Sequence, residues 1–239
     1  MLLCKEFNSI TKVKESLVHK VFVPIIFGLI GVGILASLGF WQIQRLTWKE
    51  DLLSRIEMRI NRPSVALPVD PKKSDDQYLK VAVEGIFLPG EIHVLTSEKF
   101  KGPGFRVIMP FLTNSGSTIL VDRGFILEKF KDIKKTTESN FIEGNLLWPD
   151  EIDYFTPKPN LERGIWFARD VHEMSEHLKT APILLIAVNE NKADNHINPK
   201  PLTIGIPNNH FEYAVTWFSL AIIWFFMTIY FFWSRLKKI

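Results

Sequence analysis

The sequence predicts an α+β membrane protein: two transmembrane helices flanking a mostly antiparallel, barrel- or sandwich-like β domain on the extracytoplasmic side. Three observations carry this prediction. Two uncharged apolar runs, of 21 and 20 residues, stand near the two ends of the chain. Across the middle, apolar and polar residues alternate with a period of two. No regular alternation of strand and helix appears, which argues against a doubly wound nucleotide-binding fold. The 239 residues are 46% hydrophobic with 19 Phe and 7 Trp, too apolar for a disordered chain. A single Cys excludes a disulfide framework and any site needing two thiolates. The net charge of +3 offers no basic surplus, and no nucleic-acid partner is expected.

Residues 1–20 read as a cytoplasmic tail. The first span is residues 21–41, Val21 to Trp41, which at about 1.5 Å per residue covers the ~30 Å of a bilayer core. It is too long for the apolar core of a signal peptide and ends in the bulky Gly39-Phe40-Trp41, so it is expected to remain as an anchor. Gly28-x-x-Gly31 and the small residues Gly33, Ala36 and Ser37 suggest a close-packing face. The second span is residues 214–233, Ala214 to Trp233, and residues 234–239 form a second cytoplasmic tail. Orientation follows from Arg235, Lys237 and Lys238, because only Lys200 precedes this span in the adjoining 20 residues. Both termini are therefore expected in the cytoplasm of a multi-pass protein, and residues 42–213 outside. Lys12, Lys14 and Lys20 agree, whereas Arg45, Lys49, Arg55 and Arg59 pull the other way.

Trp41 to Ile60 reads as a helix leaving the membrane, with Trp48, Leu52 and Ile56 on one face, stopped by Asn61-Arg62-Pro63. An extended proline-containing connector and a polar surface loop at Asp70–Gln77 follow. The strands expected next are Leu79–Leu88, Ile92–Ser97, Phe105–Leu112, Thr118–Leu127, Asn140–Leu147, Gly164–Ala168 and Ile183–Val188. Pro89-Gly90, Lys101-Gly102-Pro103-Gly104, Asn114-Ser115-Gly116 and Trp148-Pro149 supply turn residues. Asp170 with Glu173 predicts a capping box and a short helix to about Lys179. Asn189 to Pro207 should be an ordered loop or lid. Asn209 with Glu212 predicts a second capping box, which sets His210 in the first turn of the second membrane helix.

The chemistry on offer is sparse. The chain has no phosphate-binding loop, no His-Glu-x-x-His, no Gly-x-Ser-x-Gly and six scattered histidines, so no enzymatic activity is predicted. Three features stand out. Trp41-Gln42-x-x-Arg45-x-x-Trp48-Lys49 puts indoles and cations at the outer interface, and an aromatic belt with charged anchors accounts equally for the tryptophans. Val121-Asp122-Arg123-Gly124-Phe125 places an Arg beside a Gly in a strand, where a bulge explains the Gly without any ligand. His210, beside Phe211, Tyr213 and Trp217, is either an interfacial polar residue or an imidazole placed as an axial haem ligand. In the second case Arg45 and Lys49 are at the right depth for the propionates, and Trp41 comes to the same height.

These segments resemble the surfeit locus protein 1 family of cytochrome c oxidase assembly factors. The resemblance runs from Leu38-Gly39-Phe40-Trp41-Gln42-x-x-Arg45-x-x-Trp48-Lys49 to Pro207-Asn208-Asn209-His210-Phe211-x-Tyr213-Ala214-x-Thr216-Trp217-Phe218. Between them lie Gly102-x-Gly104-Phe105, Met109-Pro110-Phe111, Val121-x-Arg123-Gly124-Phe125, and Phe155-x-Pro157 leading to Asn160 and Trp166. The chain departs from the pattern at Ile126-Leu127-Glu128, where many relatives have a valine and a proline, which leaves the turn there open. The resemblance implies a membrane-anchored, chaperone-like factor of respiratory-chain biogenesis that transiently binds haem a and assists its insertion into the large catalytic subunit of the oxidase. It gives His210 as the iron ligand, Trp41, Gln42 and Arg45 as first-span signature residues, and Arg123 and Gly124 as a structural pair. The expected partners are that subunit, the haem a synthesis enzyme and the lipid bilayer. The alternative is a haem-independent structural chaperone for a nascent oxidase subunit. An N-terminal tail without an Arg/Ser-rich presequence points to the inner membrane of a bacterium.

Overall fold

The computed structural model describes residues 2–138, 141–203 and 208–237, with the backbone alone for residues 2–21 and 236. Asn140, Pro207 and Lys238, which figure in the expectations above, lie outside the described residues. The chain forms two compact units, Met1–Leu53 with Gly205–Ile239, and Ser54–Ile204.

The first unit holds two long apolar helices. Helix α1 (Leu2–Ile60) is continuous, so residues 2–20 are helical, and Pro24 is accommodated within it. It stops at Ile60, before the Asn61-Arg62-Pro63 breaker. Helix α4 (His210–Leu236) begins four residues before the apolar run itself. The two pack antiparallel, since positions rising along α1 meet positions falling along α4. A methyl group added at Gly28 would reach Thr228, one at Gly31 would come within 2.7 Å of Trp224, and one at Gly39 within 2.8 Å of Phe218. Glycine on this stripe therefore permits an approach that larger residues would block. Gly33 meets nothing and is not part of that face. Phe40 packs edge-on against Phe218, ring centroids 5.3 Å apart. Away from the seam Phe22, Ile26, Ile30, Ile34, Ile222 and Phe226 are exposed. Both helices are long and apolar enough to span a membrane.

The second unit is built on one eight-stranded mixed sheet, not the barrel or sandwich expected. Its strands are β1 (Val65–Ala66), β2 (Lys80–Phe87), β3 (Ile92–Glu98), β4 (Gly102–Thr113), β5 (Thr118–Leu127), β6 (Phe141–Leu147), β7 (Ile165–Trp166) and β8 (Leu184–Glu190). Their order is β1-β2-β6-β8-β5-β4-β3-β7, and the end of β2 also pairs with β4, so the sheet curls. Five pairings are antiparallel, but β1–β2, β3–β7 and β5–β8 are parallel. The departure from the expected architecture has a physical cause. A period of two specifies which face of each strand is buried, and leaves its neighbour and direction unspecified. The connection carrying α3 (Val171–Leu178) returns the chain so that β8 inserts between β5 and β6, parallel to the former.

Two other expectations shift. Asp70–Gln77 contains a one-turn helix, α2 (Lys73–Asp76), whose Asp76 carboxylate accepts from Lys72 N–H. The turn placed at Lys101-Gly102-Pro103-Gly104 falls instead at Lys99–Lys101, where Phe100 takes φ 71°. Gly102 and Gly104 belong to β4, and a Cβ at Gly104 would come within 2.2 Å of the Ile126 carbonyl oxygen. That glycine answers a close strand approach rather than a turn. By contrast Asp170 caps α3, its carboxylate accepting from His172 N and Glu173 N at 2.9 and 3.0 Å, while the reciprocal Glu173 bond of the expected capping box is absent among the described residues. The chain departs from β5 through a 3₁₀ turn, Glu128–Phe130, which shows how Ile126-Leu127-Glu128 leaves the strand without a proline.

The core of this unit has two parts. One is the cluster of Val81, Phe87, Val107, Phe111, Ile119 and Leu185, with Leu67, Phe130 and Trp148 packed against it. The other, with Ile92, Ile108, Leu120, Trp166 and Ile186, is covered by Val171 and Met174 of α3.

Candidate functional site

The first unit brings His210 and Gln42 together. Gln42 follows Gly39 by three residues on the packed stripe of α1, so it points toward α4, and only 8% of it is exposed. His210 occupies the first helical position of α4, four residues before the buried Ala214, and is therefore on the facing stripe. Its Nδ1 lies 2.8 Å from Gln42 Oε1. An amide oxygen only accepts, so Nδ1 carries the proton and donates, and the Nε2 lone pair is left for another partner. Among the described residues no hydrogen bond reaches Nε2.

The capping box expected at Asn209 does not form. Asn209 has φ −93° and ψ 11°, outside the extended region in which an N-cap side chain folds back onto the first turn, and it makes no side-chain cap bond. The helix begins at the expected place without it. The neighbouring Asn208 Oδ1 is buried without a partner among the described residues.

Around this pair the other expected residues take different stations. Trp41 is 55% exposed on α1 beside Gln42. Arg45 stacks its guanidinium over Trp48, 4.1 Å from the ring centroid. Lys49 lies seven residues beyond Gln42, on the same helix face, and is half-buried with an interaction of its own. On α4, Phe211 and Tyr213 are exposed and Trp217 is half-buried. The donor set suits an iron porphyrin: one imidazole whose Nε2 is bonded to no described residue, cations on the adjoining helix, and aromatic and aliphatic surface along both helices.

Arg123 and Gly124 belong to the second unit. β4 and β5 slip register between Val107 and Ile108, leaving Arg123 as the extra residue of a bulge. Gly124 takes φ 122°, and a Cβ there would sit 2.2 Å from the Asn198 carbonyl oxygen. Asp122 Oδ1 accepts from Gly124 N at 3.1 Å. The bulge turns Arg123 into the interior, where 1% of it is exposed. Its Nη2 donates to Glu190 Oε1 at 2.6 Å, its Nε to Oε2 at 3.1 Å and its Nη1 to the Thr136 carbonyl at 2.8 Å. The guanidinium also lies 4.4 Å from the Phe87 ring centroid. Burial raises the Glu190 carboxyl above its ordinary range, against the pull of Arg123. All of these groups are spent on one another, as in a brace for the fold.

Sequence reasoning missed a second buried network. Asp122, fully buried, is bonded by Arg106 and approached by Arg169 at 3.6 Å, and Arg169 in turn pairs with Glu151. Burial pushes the Arg169 guanidinium down, but Glu151 and Asp122 outweigh it and hold the group above its ordinary value. The local signal was an Asp in a strand whose neighbours on the same face, Leu120 and Gly124, carry no charge, which demands a buried cation. Which arginine supplies it is not a local property.

The comparisons with known proteins agree with the resemblance. A SURF1-like protein of Caenorhabditis elegans is 30% identical over 214 residues, covering 77% of this chain and 66% of its own length. The chain thus spans slightly under two thirds of that nematode relative. A SURF1-like protein of Rickettsia prowazekii is 30% identical over 201 residues, 78% of this chain and 80% of the relative. Surfeit locus protein 1 of Homo sapiens is 30% identical over 208 residues, 77% and 69% respectively. The SURF1 family model matches residues 29–222, from inside the first apolar run to inside the second, and the chain belongs to that family.

Proposed function

We propose that the protein is a membrane-anchored assembly factor for a haem-copper cytochrome c oxidase, which receives haem a and assists its insertion into the large catalytic subunit. Membership of the SURF1 family is consistent with an oxidase assembly role. The observation that carries the haem reading is His210, held at the start of an apolar helix with Nε2 bonded to no described residue. In this reading haem a is cargo, and the chain makes and breaks no covalent bond in it. His210 Nε2 coordinates the iron. Arg45, stacked on Trp48 by its face, keeps its in-plane N–H edge for a propionate, and Lys49 offers a second cation. The two helices anchor the chain in a bacterial inner membrane, with Arg235 and Lys237 on the cytoplasmic side and the sheet unit outside.

The test is haem a bound per protein after co-expression with the haem a synthesis enzymes, for the wild type and for His210→Ala at matched membrane expression. Loss of haem in the variant supports ligation. Equal occupancy with an unchanged spectrum removes His210 as the ligand, and absence of haem from both favours a chaperone that makes protein contacts alone.

A further inference from the structure

We propose that Gln42 is a positioning residue for His210, one that locks the imidazole as the Nδ1–H tautomer, aims its Nε2 lone pair, and keeps it a weak, exchangeable iron ligand. The proposal rests on the reading of His210 as the haem ligand and says how that ligand is tuned. The first part follows from donor and acceptor identity. An imidazole with nothing on either nitrogen exchanges its proton between them, so either nitrogen can present the lone pair. Here Nδ1 faces Gln42 Oε1 at 2.8 Å, and an amide oxygen has no proton to give, so the proton must reside on Nδ1.

The second part follows from burial. Gln42 lies on the packed stripe in line with Gly39, and its amide is largely removed from solvent. A polar group so buried needs its partner, so the contact resists rotation of either side chain. The ring plane is thereby fixed from a helix other than the one that carries it, and the two partners are 168 residues apart in the chain.

The third part concerns strength. Histidines that hold a metal permanently commonly give their second N–H to a carboxylate, which raises the basicity of the ligating nitrogen. A neutral amide draws the proton less, leaves less negative charge on the ring and donates less electron density to the iron. A carrier that must surrender its cargo is served by the weaker donor. Gln42→Glu, close in volume and able to keep the same hydrogen bond, converts one regime into the other.

The experiment uses the full chain in detergent. With ¹⁵N-histidine labelling, His210 is assigned by difference against His210→Ala, and its tautomer is read without haem. Haem a affinity and reduction potential are then measured for the wild type, Gln42→Leu and Gln42→Glu. The expected result is a single Nδ1–H tautomer in the wild type and a mixture in Gln42→Leu. Gln42→Leu should bind haem a about 10–100-fold more weakly. Gln42→Glu should bind more tightly, release more slowly and shift the potential to more negative values. A role limited to helix packing would change melting temperatures and leave tautomer and potential where they were, which overturns the proposal. Loss of haem in His210→Ala with all three Gln42 readouts unchanged overturns this proposal alone. Retention of haem in His210→Ala overturns the ligand reading and this proposal with it.

Discussion

Removing the Arg123 guanidinium should strongly destabilise the sheet unit. In Arg123→Met an apolar side chain replaces the guanidinium that lies over Phe87, while Glu190 loses both Arg123 donors and the Thr136 carbonyl loses one. Breaking a buried ion pair from one side costs about 3–5 kcal/mol, because the surviving charge stays in a medium that cannot solvate it. Part of that cost is relieved by protonation, since burial already lifts the Glu190 carboxyl above its ordinary range. The part-buried Thr136 bond adds about 1 kcal/mol, the net worth of an ordinary hydrogen bond. Against a domain stability of about 5–15 kcal/mol, a loss of roughly 3–5 kcal/mol is close to unfolding. The double variant Arg123→Met/Glu190→Leu removes both charges and should recover most of the loss, because an apolar replacement of a buried pair is often neutral. Pulse proteolysis of the full chain in detergent across a urea series reads the unfolding midpoint of the sheet unit. Single variants within about 1 kcal/mol of wild type, or a double variant as unstable as the sum of the singles, would refute the brace.

Three further outcomes follow from the geometry. Burial first, and then Lys135 and Lys131, hold the His93 imidazole down at about 4, against Asp132, so its stabilising contribution is complete above about 6.5, is lost as pH falls toward about 4, and amounts to about 3 kcal/mol; His93→Phe should flatten the urea midpoint against pH over that window, and a slope unchanged from wild type would disprove it. Gly124→Ala forces a Cβ onto the Asn198 carbonyl at a positive φ and should cost about 2 kcal/mol or more, read by the same assay, whereas Gly116→Ala, which meets nothing, should cost only its φ strain. In a Cys4→Ser background, Glu162→Cys should react with a membrane-impermeant maleimide in intact spheroplasts and Lys237→Cys only after lysis; the reverse pattern would invert the proposed orientation.

The elements that could be read from the sequence were those whose cause is local. β5 spans Thr118–Leu127, the largely apolar run that follows the Asn114-Ser115-Gly116 turn, and Asp170 caps α3 through its own neighbours. The two apolar helices follow from composition alone. What could not be read has its cause elsewhere in the chain. β1 is two residues long and exists because β2 lies beside it, with Val65 opposite Val81. Gly104 looked like a turn residue because the strand that presses on it, carrying Ile126, is distant in the pattern. The parallel insertion of β8 depends on a connection whose length the period of two does not constrain.

The candidate site divides along the same line. His210 and Gln42 were each visible, one as an imidazole at a helix start and the other as part of an aromatic and cationic cluster. Their contact was not, since helical periodicity predicts neighbours three or four residues away and this pair is 168 apart. A signal nevertheless existed. Gly28, Gly31 and Gly39 mark the stripe of α1 that accepts α4, and a step of three from Gly39 reaches Gln42. On α4 the stripe through Ala221 and Ala214 ends four residues earlier at His210. Where two small-residue stripes each terminate in a polar side chain at the same end of an antiparallel pair, those side chains must meet or remain unsatisfied in an apolar setting, and the second option costs several kcal/mol per group, about 2–7. Small residues on the seam and a polar pair at its mouth are therefore one feature. The glycines bring the helices close enough that, among the described residues, Gln42 is the hydrogen-bond partner of His210, and that contact sets which nitrogen of the imidazole carries the proton.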